Sequence, residues 1–166
     1  MANRDMFTNL LYPAPAVVLA TLTASKTDCP VIDRRDYLPG AVVGFLVYLP
    51  VVTTADADNY FVFRVFEAAE KTSATALTSG TAVVADDILG LSENGVLLTA
   101  ANSASFPFLR VNSTTMAGKV YWFQYRGYQN CVQVQPTETG TASIQACVLP
   151  VICSGDTVNV KPSVVN

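Results

Sequence analysis

The chain has 166 residues, 51% of them apolar, and its ten Lys and Arg against thirteen Asp and Glu leave a net charge of −3 with no histidine. A nucleic-acid groove needs clustered cations to displace counterions, and without imidazole the commonest general base and metal ligand at neutral pH is missing. Composition therefore argues against nucleic-acid binding and against an enzyme. Charge this sparse also points to a surface covered by something else, in an oligomer or an assembly; a lone monomer with a Thr, Ser, Asn and Gln face is the plainer alternative. At 17.7 kDa one domain is expected, burying roughly two-thirds of its unfolded surface without metal or disulfide staples.

Residues 1–16 show little periodicity and contain Pro13 and Pro15, which predicts an extended arm or an edge-pairing strand. Its Phe7, Leu10, Leu11 and Tyr12 need a surface to dock on, either the body of the domain or a neighbouring subunit. The prolines, and Arg4 offset by Asp5, argue against a secretion signal. VVLATLTA (17–24) reads as a first strand and SKTDCP as a loop. Asp33, Arg34, Arg35 and Asp36 read as a solvated loop whose local ion pairs contribute little. AVVGFLVYLPVV (41–52) is continuously apolar, which predicts a central strand buried on both faces. Gly44 would mark a bulge or a close approach between sheets. The uncharged run from Tyr37 to Ala55 is broken by Pro39 and Pro50, so no membrane span is expected.

TADADN offers Asp56, Asp58 and Asn59 but lacks the rest of a calcium loop. In YFVFRVFEAAE, Tyr60, Val62, Arg64 and Phe66 fall on one face and Phe61, Phe63, Val65 and Glu67 on the other; Arg64 would need a carboxylate or carbonyl partner if buried. Residues 68–82 read as an exposed loop feeding a strand at 81–84. Asp86 and Asp87 read as the cap of a helical turn, and as neighbours they diverge rather than converge on a substrate. Short strands follow in VLLTA and FLRV. Residues 119–148 predict three successive strands joined by tight turns, a meander, with Tyr121, Phe123 and Tyr125 on one face and Val120, Trp122 and Gln124 on the other.

About eight short strands and no amphipathic helix indicate an all-β fold: a single jelly-roll-like β-sandwich over 17–160, with a tail at 161–166. The many Ser and Thr have no activating base and no SxxK or GxSxG context. Cys29, Cys131, Cys147 and Cys153 lack zinc-binding spacing; buried free thiols are the favoured state, with a disulfide between the nearby Cys147 and Cys153 left open. No catalytic residue, metal or cofactor is expected. The aromatic cluster with Trp122 and Tyr128 reads as packing or subunit contact ahead of a sugar platform.

The order of segments resembles the head cement, or decoration, proteins of tailed bacteriophages. The carriers are DMFTNL, PAPAVVLATLTAS, AVVGFLVYL, FVFRVFEAAE, VADDILG, FLRVNS, YRGYQNCVQVQ and TETGTA. The chain departs from that pattern where EAAEKTSA replaces an acidic loop, and where Gln129, Gln133 and Gln135 replace basic residues. The resemblance implies a minor capsid protein made in the host cytoplasm. It would bind the major capsid protein on the outer surface of the virion as a dimer or trimer, without nucleic acid or membrane. Expected contacts are Phe7, Leu10, Leu11, Tyr12, Trp122 and Tyr128. The alternative is a carbohydrate-binding or tail-associated module using the aromatic hairpin.

Overall fold

A computed structural model describes residues 10–11, 17–37, 42–83, 87–90 and 109–153. β-branched and aromatic residues dominate its long runs, and these form strands with only short 3-10 turns between them. In chain order the strands are β1 (Leu10–Leu11), β2 (Val17–Leu22), β3 (Ile32–Asp33), β4 (Val42–Thr54), β5 (Tyr60–Ala68), β6 (Lys71–Ser73), β7 (Ala76–Leu77), β8 (Thr81–Ala82), β9 (Ile88–Gly90), β10 (Leu109–Val111), β11 (Lys119–Tyr125), β12 (Cys131–Thr139) and β13 (Ser143–Cys153). The protein is all-β, as its composition of short apolar runs predicts.

Sheet A has the order β1-β13-β4-β11-β9, with β2 also on the outer edge of β13; sheet B has the order β10-β5-β12-β3, with β8 also on β5. β6 and β7 form a separate small hairpin. The long-range pairing is nested: β2 with β13, β3 with β12, β4 with β11, and β5 with β10, all antiparallel. Pairing of β4 with β13 and of β5 with β12 then completes the sheets. This is one long hairpin rolled up, so that β2 to β5 and β10 to β13 alternate between two layers.

The core lies between the layers. Val43, Phe45, Val47 and Leu49 of β4, Tyr121, Phe123 and Tyr125 of β11, and Ile144, Ala146, Val148 and Ile152 of β13 share one buried cluster with Phe61, Phe63 and Val65 of β5 and Val132 and Val134 of β12. Phe45 and Phe123 stack at 4.8 Å between ring centroids. Burying the Val, Leu, Ile and Phe side chains among these stabilises the fold by about 1.5–3 kcal/mol each before entropy is counted.

Several expectations change here. The three strands of 119–148 exist, but β11 and β13 belong to sheet A and β12 to sheet B. The links at 126–130 and 140–142 therefore cross between layers, and there is no meander. Turn residues mark a reversal but do not choose a partner; each strand's apolar stripe has to face the opposite layer, which separates neighbours in sequence. Gly140 makes its crossing in the left-handed region (φ +71°), where an added Cβ would stand 2.6 Å from the Asp58 carbonyl oxygen.

β4 is central, yet it is buried on one face only: Val43, Phe45, Val47 and Leu49 are buried while Leu46 and Tyr48 are exposed. Gly44 sits in regular register, with 3.7 Å of room for a Cβ. The bulge lies further on, where Tyr48 pairs with Cys147 and Val51 with Gln145, so that Leu49 and Pro50 together oppose Ala146. That irregularity is what allows a proline inside a central strand.

Asp87 ends a 3-10 turn, whose preceding residues lie outside the described ones, and Ile88–Gly90 then runs as a strand against β11. Residues 68–82 hold the β6–β7 hairpin as well as the expected strand, β8. Leu10 and Leu11 pair with Cys153 and Ile152 of the same chain, so this part of the arm docks on its own domain. Phe7, Tyr12, VLLTA, Asp86 and the 161–166 tail lie outside the described residues.

Candidate functional site

A two-layer sandwich has two outer faces, and here they are treated differently. On the outer face of sheet B, Val62, Ala68, Cys131 and Gln133 are all buried, and around Gln133 the chain lays its own loops over the sheet. Gln133 holds the cover in place. Its Nε2 donates to the carbonyls of Thr75 at 2.9 Å and Thr27 at 3.3 Å, and also to that of Cys29. Its Oε1 accepts from Gln135 Nε2 at 2.8 Å. Further bonds run from Lys26 N to Pro136 O (2.9 Å), from Val31 N to Ala74 O (2.8 Å), and from Glu138 N to Ser25 Oγ (2.8 Å). A hollow of about 270 Å³ between these segments is lined by uncharged groups, among them Thr27, Phe66, Leu77 and Gln135.

The outer face of sheet A has no such cover among the described residues. Antiparallel register sets three rows across β11, β4 and β13: Val120–Tyr48–Cys147, Trp122–Leu46–Leu149, and Gln124–Gly44–Val151. Val51, Gln145 and Thr21 extend the face beyond the bulge, and Leu19, two residues before Thr21 on β2, falls on the same side of the sheet. Exposure of the large apolar members runs from 38% at Leu46 to 60% at Val120. Among the described residues, seven of the eight exposed large apolar side chains lie here; the eighth is Tyr128.

Large side chains present on the order of 150–250 Å² when free, so these seven show roughly 500–700 Å² of apolar surface. That overlaps the upper part of the range for the largest patch on an ordinary monomer and extends past it. None of the face positions named above carries a charge. Trp122 and Tyr48 are diagonal neighbours, the spacing at which large rings on one sheet face can touch. Cys147, partly exposed, has its thiol held up by burial, with the Leu19 backbone N–H acting against that. It is accordingly a protonated, weakly nucleophilic thiol at neutral pH.

The charged residues gather elsewhere. Asp33 is 5% exposed, not solvated as its sequence context predicts. Arg35 grips it through Nε and Nη2, each at 2.9 Å. The same guanidinium reaches both Glu70 oxygens at 2.7 and 2.8 Å, and Lys71 bonds Asp36 at 3.1 Å. The hydrogen bonds from Arg35 hold the Asp33 carboxyl well below the usual carboxylate range, against the opposing effect of burial. This network ties the turn after β3 to the start of β6. Arg34 Nη1 donates to the carbonyls of Gly127 (2.9 Å) and Gln129 (3.1 Å), fixing the link between layers. Tyr125 Oη donates to Glu67 and accepts from Gln129 N at 3.0 Å.

The Asp56 carboxylate is taken up by the backbone N–H groups of Asp58 (2.8 Å) and Asn59 (2.9 Å), which is a turn and not a calcium loop. Among the described residues no three His, Cys, Asp or Glu converge as metal ligands, and no helix is long and apolar enough to cross a membrane. Cys29, Cys131 and Cys147 are free thiols.

Of the contact residues expected from sequence, Trp122 lies at the middle of the bare face. Tyr128, 96% exposed, lies in the link between layers and not on the face. The backbone of Leu10 and Leu11 borders β13 at Cys153 and Ile152. Sequence reasoning missed Leu19, Leu46, Tyr48, Val51, Val120 and Leu149 as members of one surface. The available signal was β4 itself, apolar at positions of both parities. Comparison with protein-family models, curated proteins and solved structures finds no match to this chain.

Proposed function

We propose that this chain is a non-enzymatic structural protein of a virion, a cement or decoration protein that binds the outer surface of a capsid lattice and stabilises it by bridging capsomers. The observation that carries this reading is the uncharged apolar outer face of sheet A. Such a face is costly in water, and large exposed apolar patches mark places where another molecule binds. The nested strand order supports a jelly-roll reading, since a rolled-up hairpin of eight main strands in two layers is that architecture. The segment order supports the phage resemblance. Weak contacts repeated across a lattice add up through effective concentration, so a small oligomer of this chain needs no large contact with any one capsomer.

The test is capsid shells stripped of this protein and then reconstituted. Shells with the wild-type chain should resist heat and low salt better than stripped shells, and a Leu149→Lys chain should restore less of that resistance. Equal robustness of stripped and reconstituted shells rules out cementing.

One observation favours a second reading. Trp122 and Tyr48, adjacent on an exposed sheet with Gln124 and Gln145 nearby, form the kind of aromatic platform that stacks on sugar rings. A glycan array with Trp122→Ala as control separates the two: binding by the wild type that is lost in the variant establishes the platform, and silence removes it.

A further inference from the structure

We infer that the occupant of the outer face of sheet A is a second copy of this chain, packed face to face about a two-fold axis. The inference deepens the structural reading above by naming the partner of the same face. Four observations carry it.

The first is area. Roughly 500–700 Å² of apolar surface on each copy is close to the ~800 Å² per partner of a standard stable interface. The second is charge. A two-fold contact sets a surface against itself, so any charge on it meets its own kind nearby; among the described residues none of the face positions in the rows on β11, β4 and β13 is charged. A chain of net charge −3 that gathers its acids elsewhere can pair through it without repulsion. The third is composition. Trp122, Tyr48 and five aliphatic side chains around a partly buried Cys147 match the charge-depleted, aromatic centre of protein interfaces. The fourth is shape. β11, β4 and β13 present a regular pleated surface, and sheets stack on sheets by interdigitating such rows, as the two layers of this domain already do. The loops over sheet B stay on the outside of such a dimer, free to meet a lattice.

Sedimentation velocity of the full chain over a dilution series tests this, with circular dichroism as the check on folding. The wild type should sediment at twice 17.7 kDa. Leu46→Lys, at the centre of the face, should weaken association by at least roughly thirtyfold, the loss typical of a central anchor. Leu46→Thr, which keeps strand propensity, should weaken it in the same direction and stands in if the lysine variant misfolds. Tyr128→Ser, exposed but off the face, should change nothing. A wild-type monomer, a trimer, or a dimer indifferent to both Leu46 variants overturns the inference. The two readings fail separately: a monomer that still stabilises capsid shells sinks self-association and leaves cementing standing, whereas a dimer that adds nothing to shells does the reverse.

Discussion

The two outer faces of the sandwich meet the same requirement in opposite ways. On sheet B the chain covers its own apolar strands with residues 25–31 and 71–77, pinned by the buried amide of Gln133. On sheet A it leaves Leu46, Tyr48, Trp122 and Leu149 in the open, around 40% exposed each. A protein that needed only to be a stable monomer would treat both alike. On the proposed pairing, the difference separates surface that serves folding from surface kept for another molecule, and substitutions on each face should divide along that line.

The scale is set by the shared core. Phe123→Ala removes one ring of the Phe45–Phe123 stack and should cost about 3–5 kcal/mol in urea unfolding. Next comes the cover of sheet B: Gln133→Leu strips the donor from the Thr27, Cys29 and Thr75 carbonyls and should cost about 2 kcal/mol. It should also raise amide exchange in 25–31 and 71–77 while leaving self-association unchanged. If the cover stayed protected, Gln133 would not be what holds it.

Asp33→Asn tests the anchor beside that cover, and should cost about 1–2 kcal/mol at neutral pH because Arg35 is partly solvated. The sign with pH follows from the depressed carboxyl. Its contribution is fully present above the unfolded value near pH 3.9 and is lost as pH falls below that toward the lower folded value. The wild type should therefore lose stability more steeply than Asp33→Asn on acidification below about pH 4. Parallel acid profiles would mean that Asp33 is not held as its contacts indicate.

Smallest of all for the isolated chain is Leu149→Thr on sheet A, expected within about 0.5 kcal/mol of wild type under dilute conditions, yet weakening assembly. A loss near that of Phe123→Ala would place Leu149 in the core and erase the contrast between faces.

Much of this was legible in the chain before its fold was known. KVYWFQY puts Tyr121, Phe123 and Tyr125 on one face and Val120, Trp122 and Gln124 on the other; which of the two is core was open in the sequence, and the structure buries the first set. AVVGFLVYL is apolar at every position and so loses the alternation that would tell inside from outside. Periodicity reports that a face is apolar, not that anything covers it, which is why β4 reads as doubly buried. Partner choice was also illegible: the Gly127 and Gly140 reversals look like hairpins, but the pairing is decided by which layer each stripe must face. Gln133 stands in the sequence only as a glutamine between Val132 and Val134; its acceptors lie 106, 104 and 58 residues away, beyond any local pattern. Asp33 and Arg35 likewise find Glu70 and Lys71 only through the fold.

The most direct measurement uses a probe the protein already carries, since Trp122 is its single tryptophan and stands at the middle of the bare face. If that face exists to be covered, Trp122 emission should shift to the blue and acrylamide quenching should fall as the chain is concentrated or added to capsid shells, and Leu46→Lys should abolish both changes. Emission and quenching that stay constant from dilute monomer to assembled particle would contradict the claim that this face is where the protein meets its partner.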